Sequence, residues 1–194
     1  TESRQMLGSG AVEGTIVHEE WLVLAKKHNL PTSIDMAANV PPVSNLWAFN
    51  DMGFSLVALS GGKALRGPQS AGILMGKKEI IAAARLNAWP HSGTIGRGMK
   101  VNKEEIFGMY VALDRYIKQD HDKEWKDWED RVARIAKAAE SVKGVTTKNY
   151  VPPIADHTPT LDISWDTGKI KLSGDDLLKV LRNGDPSIEA YGGG

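Results

Sequence analysis

The sequence predicts an α/β fold, and three observations carry that expectation. Helical and extended patterns alternate through the first hundred residues. The apolar run Leu56-Val57-Ala58-Leu59 stops abruptly at Ser60-Gly61-Gly62-Lys63, as a buried strand does at its end. A second short apolar run, Ala71 to Gly76, follows a Gly67-Pro68 break and reads as another core strand.

In order along the chain, Gly8-Ser9-Gly10-Ala11-Val12-Glu13-Gly14 has the look of a dinucleotide fingerprint. That motif needs a buried strand before it, and Thr1 to Met6 is too polar, so a loop is expected. His18 to His28 predicts a helix with Trp21, Leu22, Leu24 and Ala25 as its apolar positions. Pro31 to Asp35 predicts a short strand that finishes on an acid. Pro41-Pro42 breaks the chain, and Ser44 is expected to cap a helix through Met52 carrying Leu46, Trp47 and Phe49. Phe54 to Leu59 is the strand that feeds the lysine loop. Lys77 to Asn87 reads as a helix, and Ala88 to Val101 as a loop whose His91 to Gly98 is rich in glycine and anion-binding side chains.

Asn102 then caps a long helical stretch with Glu104 and Glu105 in its first turn, where carboxylates suit the helix dipole. Ile106, Met109 or Tyr110, Leu113 and Ile117, then Trp128, Val132, Ile135, Ala139 and Val142, keep one face apolar, and the tryptophans here read as core. Unbroken, the stretch would run ~60 Å, but the polar Gln119-Asp120-His121-Asp122 predicts a bend or break. After Gly144 the pattern changes. Thr158 to Trp165 alternates like a half-buried strand, and Lys169 to Leu172 is expected to pair with it across Asp166-Thr167-Gly168. Ser173 caps a helix from Gly174 to Arg182 that Asn183-Gly184 ends, and Ser187 to Tyr191 reads as a last strand. The organisation expected is residues 1–101, a long linking helix over 102–142, and a small α/β lobe over 143–194.

Lysine plus arginine and aspartate plus glutamate both number 24 in 194 residues, so there is no general electrostatic pull toward nucleic acid or an acidic membrane. Zero cysteines remove disulfides and thiolate chemistry and fit a cytoplasmic protein. No apolar run approaches the ~18 residues needed to span a bilayer. The five histidines show no ligand spacing, which weakens a metal-dependent hydrolase. Both ends look like mid-stream sequence, so a piece of something longer is expected.

Three chemistries compete for Lys63. A phosphate-binding loop of the nucleotide-hydrolase kind needs glycine at position 57 and Ser or Thr after the lysine; Val57 and Ala64 stand there. A serine acyl-enzyme of the Ser-x-x-Lys kind needs Ser60 to open a helix, which Gly67-Pro68 opposes. The third is a lysine that takes the aldehyde of pyridoxal phosphate. That cofactor needs an amine, a carboxylate at its pyridine nitrogen and donors for its phosphate. Lys63, Asp35 and Ser60 can supply these, and the bare amides of Gly61-Gly62 can approach an anion. Strand ends carrying an acid and a lysine meet at one edge of a parallel sheet, where such folds bind ligands.

Ser60-Gly61-Gly62-Lys63-Ala64-Leu65-Arg66-Gly67-Pro68-Gln69-Ser70-Ala71-Gly72 resembles the cofactor-lysine segment of the bacterial selenocysteine synthase-like group. This group belongs to the aspartate-aminotransferase-fold (fold type I) pyridoxal-phosphate enzymes and includes the D-glucosaminate-6-phosphate ammonia-lyases. Ile34-Asp35-Met36-Ala37-Ala38 resembles its Asp-x-Ala-Ala segment, and Gly96 to Glu105 its Gly-Arg-x-Met-Lys-Val-x-Lys-Glu-Glu stretch. The resemblance implies a large domain with a mostly parallel sheet and helices on both faces, then a linking helix and a small domain. It further implies a Lys63 aldimine, Asp35 on the pyridine nitrogen, Ala37 against one ring face and Ser60 on the phosphate. Thr94 and Arg97 would reach a phosphate across the interface of a homo-oligomer with shared sites, and Arg66 and Gln69 are candidate substrate or phosphate contacts. The substrate would be an amino acid or amino sugar acid, losing an α-proton and then a β-substituent as in an ammonia-lyase. The rival readings are a selenocysteine synthase-like transfer and an inactive half serving oligomerisation. Family members are about twice as long, and the half before this one would insert a strand between those ending at Asp35 and Ser60 and supply the residue stacked on the cofactor.

Overall fold

The computed structural model describes residues 16–153 and 155–191, so the Gly8 to Gly14 stretch lies outside the described residues. Two compact units are found: residues up to Trp125 with Val151–Thr158, and Lys126–Tyr150 with the residues from Pro159 on.

The first unit contains α1 (His18–Lys27), β1 (Ser33–Asp35), α2 (Asn45–Met52), β2 (Leu56–Ser60), β3 (Gly72–Gly76), α3 (Lys78–Leu86) and α4 (Lys103–Lys118). Its sheet has the order β1-β2-β3. The strand β1 pairs parallel with β2, Asp35 lying across from Ala58, and β3 pairs antiparallel with β2 from Leu56–Gly76 to Ser60–Gly72. Among the described residues β1 and β2 pair directly; the intervening strand that the resemblance implies was assigned to a half outside this sequence. The reversal at β3 follows from its connection. Residues 61–71 fold back on themselves instead of forming the crossover helix that a parallel return needs.

Burial explains why this sheet holds. Val57 and Leu59 alternate inward from β2, and Met36, Phe49 and Val57 have no exposed surface. Leu46, Phe54, Leu65, Met109 and Tyr116 complete the same cluster, each apolar side chain contributing about 1.5–3 kcal/mol by leaving water. The core aromatics are therefore Phe49, Phe54 and Tyr116, while Trp125 and Trp128 are partly buried. Ser44 does not cap α2. Its backbone is already helical, and the first amides go to carbonyls of the preceding turn, Asn45 N to Pro42 O at 3.1 Å and Leu46 N to Val43 O at 3.1 Å.

Asn102 caps α4 reciprocally: Glu105 N donates to Asn102 Oδ1 at 2.7 Å, and Asn102 N donates to Glu105 Oε2 at 3.0 Å. The long stretch is two helices. α4 stops at Lys118, and α5 (His121–Glu140) starts anew with Asp120 Oδ1 accepting from Lys123 N at 2.9 Å. The first turn of α5 belongs to the first unit and most of the helix to the second.

The second unit holds the rest of α5, β4 (Val145–Tyr150), β5 (Thr160–Trp165) and α6 (Gly174–Arg182). Here β5 pairs antiparallel with β4, not with Lys169 to Leu172. Asp166 turns the chain into a local knot instead, its Oδ1 accepting from Gly168 N at 2.8 Å and its carbonyl from Lys169 N and Ile170 N at 2.9 Å. The Trp165 indole then donates to Leu172 O at 2.8 Å. Ser173 caps α6 through Asp176 N at 3.1 Å. Ser187 to Tyr191 forms no strand; it is tied back by Ile188 N to Leu181 O at 2.9 Å and by Glu189 on Arg182.

Candidate functional site

Residues 60–71 leave β2, reverse and return as β3, and every crossing within them is bonded. Gly61 N donates to Ala71 O at 3.0 Å, Gly67 N to Gly61 O at 2.8 Å, Arg66 N to Lys63 O at 2.9 Å, and Gln69 Nε2 to Gly62 O at 3.1 Å. The glycines are there because the chain crosses itself. A Cβ on Gly61 would stand 2.6 Å from Ala71 O, and one on Gly62 2.7 Å from Gln69 Cα. The amide of Gly61 is engaged by Ala71, so it is not the free anion donor that the sequence offered. Lys63 itself is exposed at the tip.

The acid is positioned with similar economy. Met36 N donates to Ala58 O at 2.9 Å, which carries the pairing one residue past β1. Asp35 Oδ1 then accepts from Ala37 N at 2.9 Å, an Asx-type turn that fixes the carboxylate to its own backbone. Met36 and Val40 are buried, and the Asn45 side chain donates to Asn39 O at 2.6 Å, so the turn after Asp35 is anchored from below.

Because β1 and β2 run in the same direction, their carboxyl ends open on one edge, where ligands bind in such sheets. Asp35 and Ser60 are the last residues of the two strands at that edge, Ala37 follows Asp35 and Lys63 follows Ser60 in the adjoining loops: a carboxylate, a hydroxyl, a small partly buried side chain and an amine. Such a set could hold the aldehyde-bearing, phosphorylated cofactor implied by the resemblance. Arg66 and Gln69 are exposed and bond within the chain, Gln69 Nε2 to Gly62 O and Arg66 Nη2 to Glu124 Oε1 at 2.5 Å. Thr94 and Arg97 lie on a separate segment, the loop 87–100, closed by an Ala88–Gly96 bridge and by Thr94 Oγ1 donating to His91 O at 3.0 Å. Among the described residues, no group of three or more His, Asp or Glu is arranged to hold a metal ion.

Two residues absent from the sequence-based set stand close behind the loop. Tyr116 is 5% exposed and its hydroxyl is buried without a hydrogen-bond partner among the described residues. Burial, then the nearby Glu124 charge, push this phenol up to about 12, with Arg66 pulling the other way. No local signal could have paired Glu124 with the lysine loop, because 58 residues separate it from Arg66. Farther along, the Ser70 hydroxyl and the Asn102 amide hold the Glu105 carboxyl below the usual glutamate range.

The family model described as SelA: L-seryl-tRNA selenium transferase matches residues 15–144, which include the whole sheet edge and its loop. The chain belongs to the SelA family. Among SelA relatives, the D-glucosaminate-6-phosphate ammonia lyase of Salmonella typhimurium is 33% identical over 104 residues, covering 54% of this chain and 26% of that protein. The L-seryl-tRNA(Sec) selenium transferase of Pasteurella multocida is 30% identical over 118 residues, covering 55% of this chain and 24% of that one. A solved structure of D-glucosaminate-6-phosphate ammonia-lyase superposes with a TM-score of 0.70 at 23% identity, over 93% of this chain and 46% of its own. That likeness shows a shared α/β fold. The chain thus spans about half of the solved relative, and its matches cover about a quarter of the curated ones. Among the described residues no helix is long and apolar enough to cross a membrane.

Proposed function

We propose that this chain carries the lysine-bearing part of a pyridoxal-phosphate-dependent enzyme that acts on an amino acid or amino sugar acid by removing an α-proton and eliminating a β-substituent, as an ammonia-lyase does. The observation that supports this best is the parallel pairing of β1 with β2, which opens on one edge the strand end at Asp35 and the strand end at Ser60 that leads into the Lys63 loop. The chemistry of the set fits the cofactor: Lys63 Nζ for its aldehyde, Asp35 for its pyridine nitrogen, Ser60 for its phosphate and Ala37 against one ring face. When bound, the cofactor supplies an electron sink for the carbon that loses its proton.

The chain's own residues supply the rest. Asp35, held by the Ala37 amide, keeps a proton on the pyridine nitrogen, since a fixed anion there favours the charged form. The Lys63 amine, once free, takes the α-proton; it stands on a loop whose backbone is fixed and whose side chain is exposed. In this reading residues 1–101 belong to a fold-type-I large domain, 102–142 to a linking helical segment and 143–194 to a small domain. A soluble cytoplasmic homo-oligomer completes the sites, Thr94 and Arg97 reaching a phosphate from the neighbouring subunit.

A second reading is transfer to a seryl-tRNA. The family match favours it, and the zero net charge weighs against it. The test of the first reading is to mix the chain with pyridoxal phosphate, reduce with borohydride and locate the pyridoxyl group by peptide mass spectrometry. Labelling at Lys63 that Lys63→Ala abolishes and Asp35→Asn weakens is expected. A chain labelled only at scattered surface lysines overturns the proposal and leaves an oligomerisation module.

A further inference from the structure

We propose that Arg66 is a positioning residue: its ion pair with Glu124 ties the loop that carries Lys63 to the first turn of α5. This rests on Lys63 being the amine that works in the site, and it gives a different role to a guanidinium that the sequence offered to a substrate.

The backbone supplies the first argument. Arg66 has φ +55°, in the left-handed region that side chains larger than glycine rarely enter, while its neighbour Gly67 is not in that region. A non-glycine residue persists there when the surrounding structure over-determines it, most often at functional sites. Its position supplies the second. Arg66 N closes on Lys63 O at 2.9 Å and Gly67 N on Gly61 O at 2.8 Å, so the turn that presents Lys63 ends on this residue. The side chain supplies the third. Arg66 Nη2 meets Glu124 Oε1 at 2.5 Å, and the Glu124 side chain is only 16% exposed, so its carboxylate depends on this partner. Last, the buried hydroxyl of Tyr116 feels both charges, with Glu124 raising its pKa and Arg66 lowering it. The pair therefore sits against the wall formed by α4, beside a cavity lined by Ala64, Leu65, Arg66, Arg115, Tyr116 and Gln119.

If Arg66 only decorated the surface, its loss would relieve backbone strain and leave Lys63 as it was. If it positions the loop, losing either charge frees the Lys63-to-Arg66 turn and changes how the amine meets a reagent. The experiment is competitive acetylation of the 194-residue chain without cofactor between about pH 6 and pH 9, with modification of Lys63 and of Lys137 on α5 as an internal standard followed by mass spectrometry. Circular dichroism confirms folding of each variant. Arg66→Gly, which accepts the backbone conformation, and Glu124→Gln are each expected to change the Lys63 rate about three-fold or more relative to Lys137, as the surroundings of this exposed amine change when the turn loosens locally. Arg66→Lys, which keeps the charge, is expected to follow the wild-type profile. Superimposable profiles for all four proteins overturn the proposal; should Arg66→Gly fail to fold, Glu124→Gln and Arg66→Lys still decide it. Separated profiles together with no pyridoxyl label on Lys63 in the wild type would retain the positioning role and reject the cofactor reading.

Discussion

Replacing Gly61 by alanine tests the account of the lysine loop most directly. Its added Cβ would stand 2.4 Å from Met109 Sδ and 2.6 Å from Ala71 O. The sulfur is the flexible part of a long side chain and can move away. The carbonyl cannot, because it already receives the Gly61 amide at 3.0 Å and leads directly into β3. Forcing extra volume into such a site costs about 1–3 kcal/mol, and losing the backbone hydrogen bond adds about 0.5–1.5 kcal/mol. A total of roughly 1.5–4.5 kcal/mol follows, which lowers the melting temperature of a chain this size by roughly 3–18 °C. The assay is thermal unfolding by circular dichroism, with Gly98→Ala as the control because nothing lies within 4 Å of a Cβ there. Gly61→Ala combined with Met109→Ala separates the two contacts, and since only the sulfur is relieved, little of the loss should return. A Gly61→Ala melting temperature equal to that of Gly98→Ala would refute the claim that the glycine exists for chain crossing.

Other outcomes follow from features of the same unit. Asn102→Ala removes the reciprocal cap of α4 and should cost about 1 kcal/mol in denaturant unfolding. Tyr116→Phe deletes a buried hydroxyl that has no hydrogen-bond partner among the described residues, so it should leave stability unchanged or raise it by up to about 1–3 kcal/mol; in the wild type, alkaline absorbance titration should show one tyrosine ionising only near 12. Glu105 titrates below its ordinary range in the folded chain, so its contribution is present above the unfolded glutamate pKa and lost as pH falls through the lower folded value. Thermal melts of wild type and Glu105→Gln should therefore differ near neutrality and converge in acid.

The sequence made the first unit legible where the signals were local. The apolar run of β2, the Asn102-x-x-Glu105 box and the polar break before His121 each report their own structure within a few residues. One kind of signal misled. Asp166-Thr167-Gly168 looks like a hairpin turn, yet the Asp166 carboxylate and carbonyl collect the next amides locally, and β5 takes as its partner the polar strand Val145 to Tyr150, which has no apolar stripe to announce it. The folded chain also gives Arg66 and Gln69 partners, Glu124 and the Gly62 carbonyl, that no local pattern announces. Asp35 was readable as the residue that closes its strand, and Lys63 as a residue of the glycine-rich loop that follows Ser60.

The crosslinked path from Gly61 to Ala71 also limits what Lys63 can reach. With Gly61 tethered to Ala71 and Gly67, and Gly62 to Gln69, the backbone under the amine behaves as a stiff bracket. The nitrogen then explores space through its own side-chain torsions alone, sweeping a cap one lysine long around a stationary base. An amine mounted in this way changes its position without any rearrangement of the sheet.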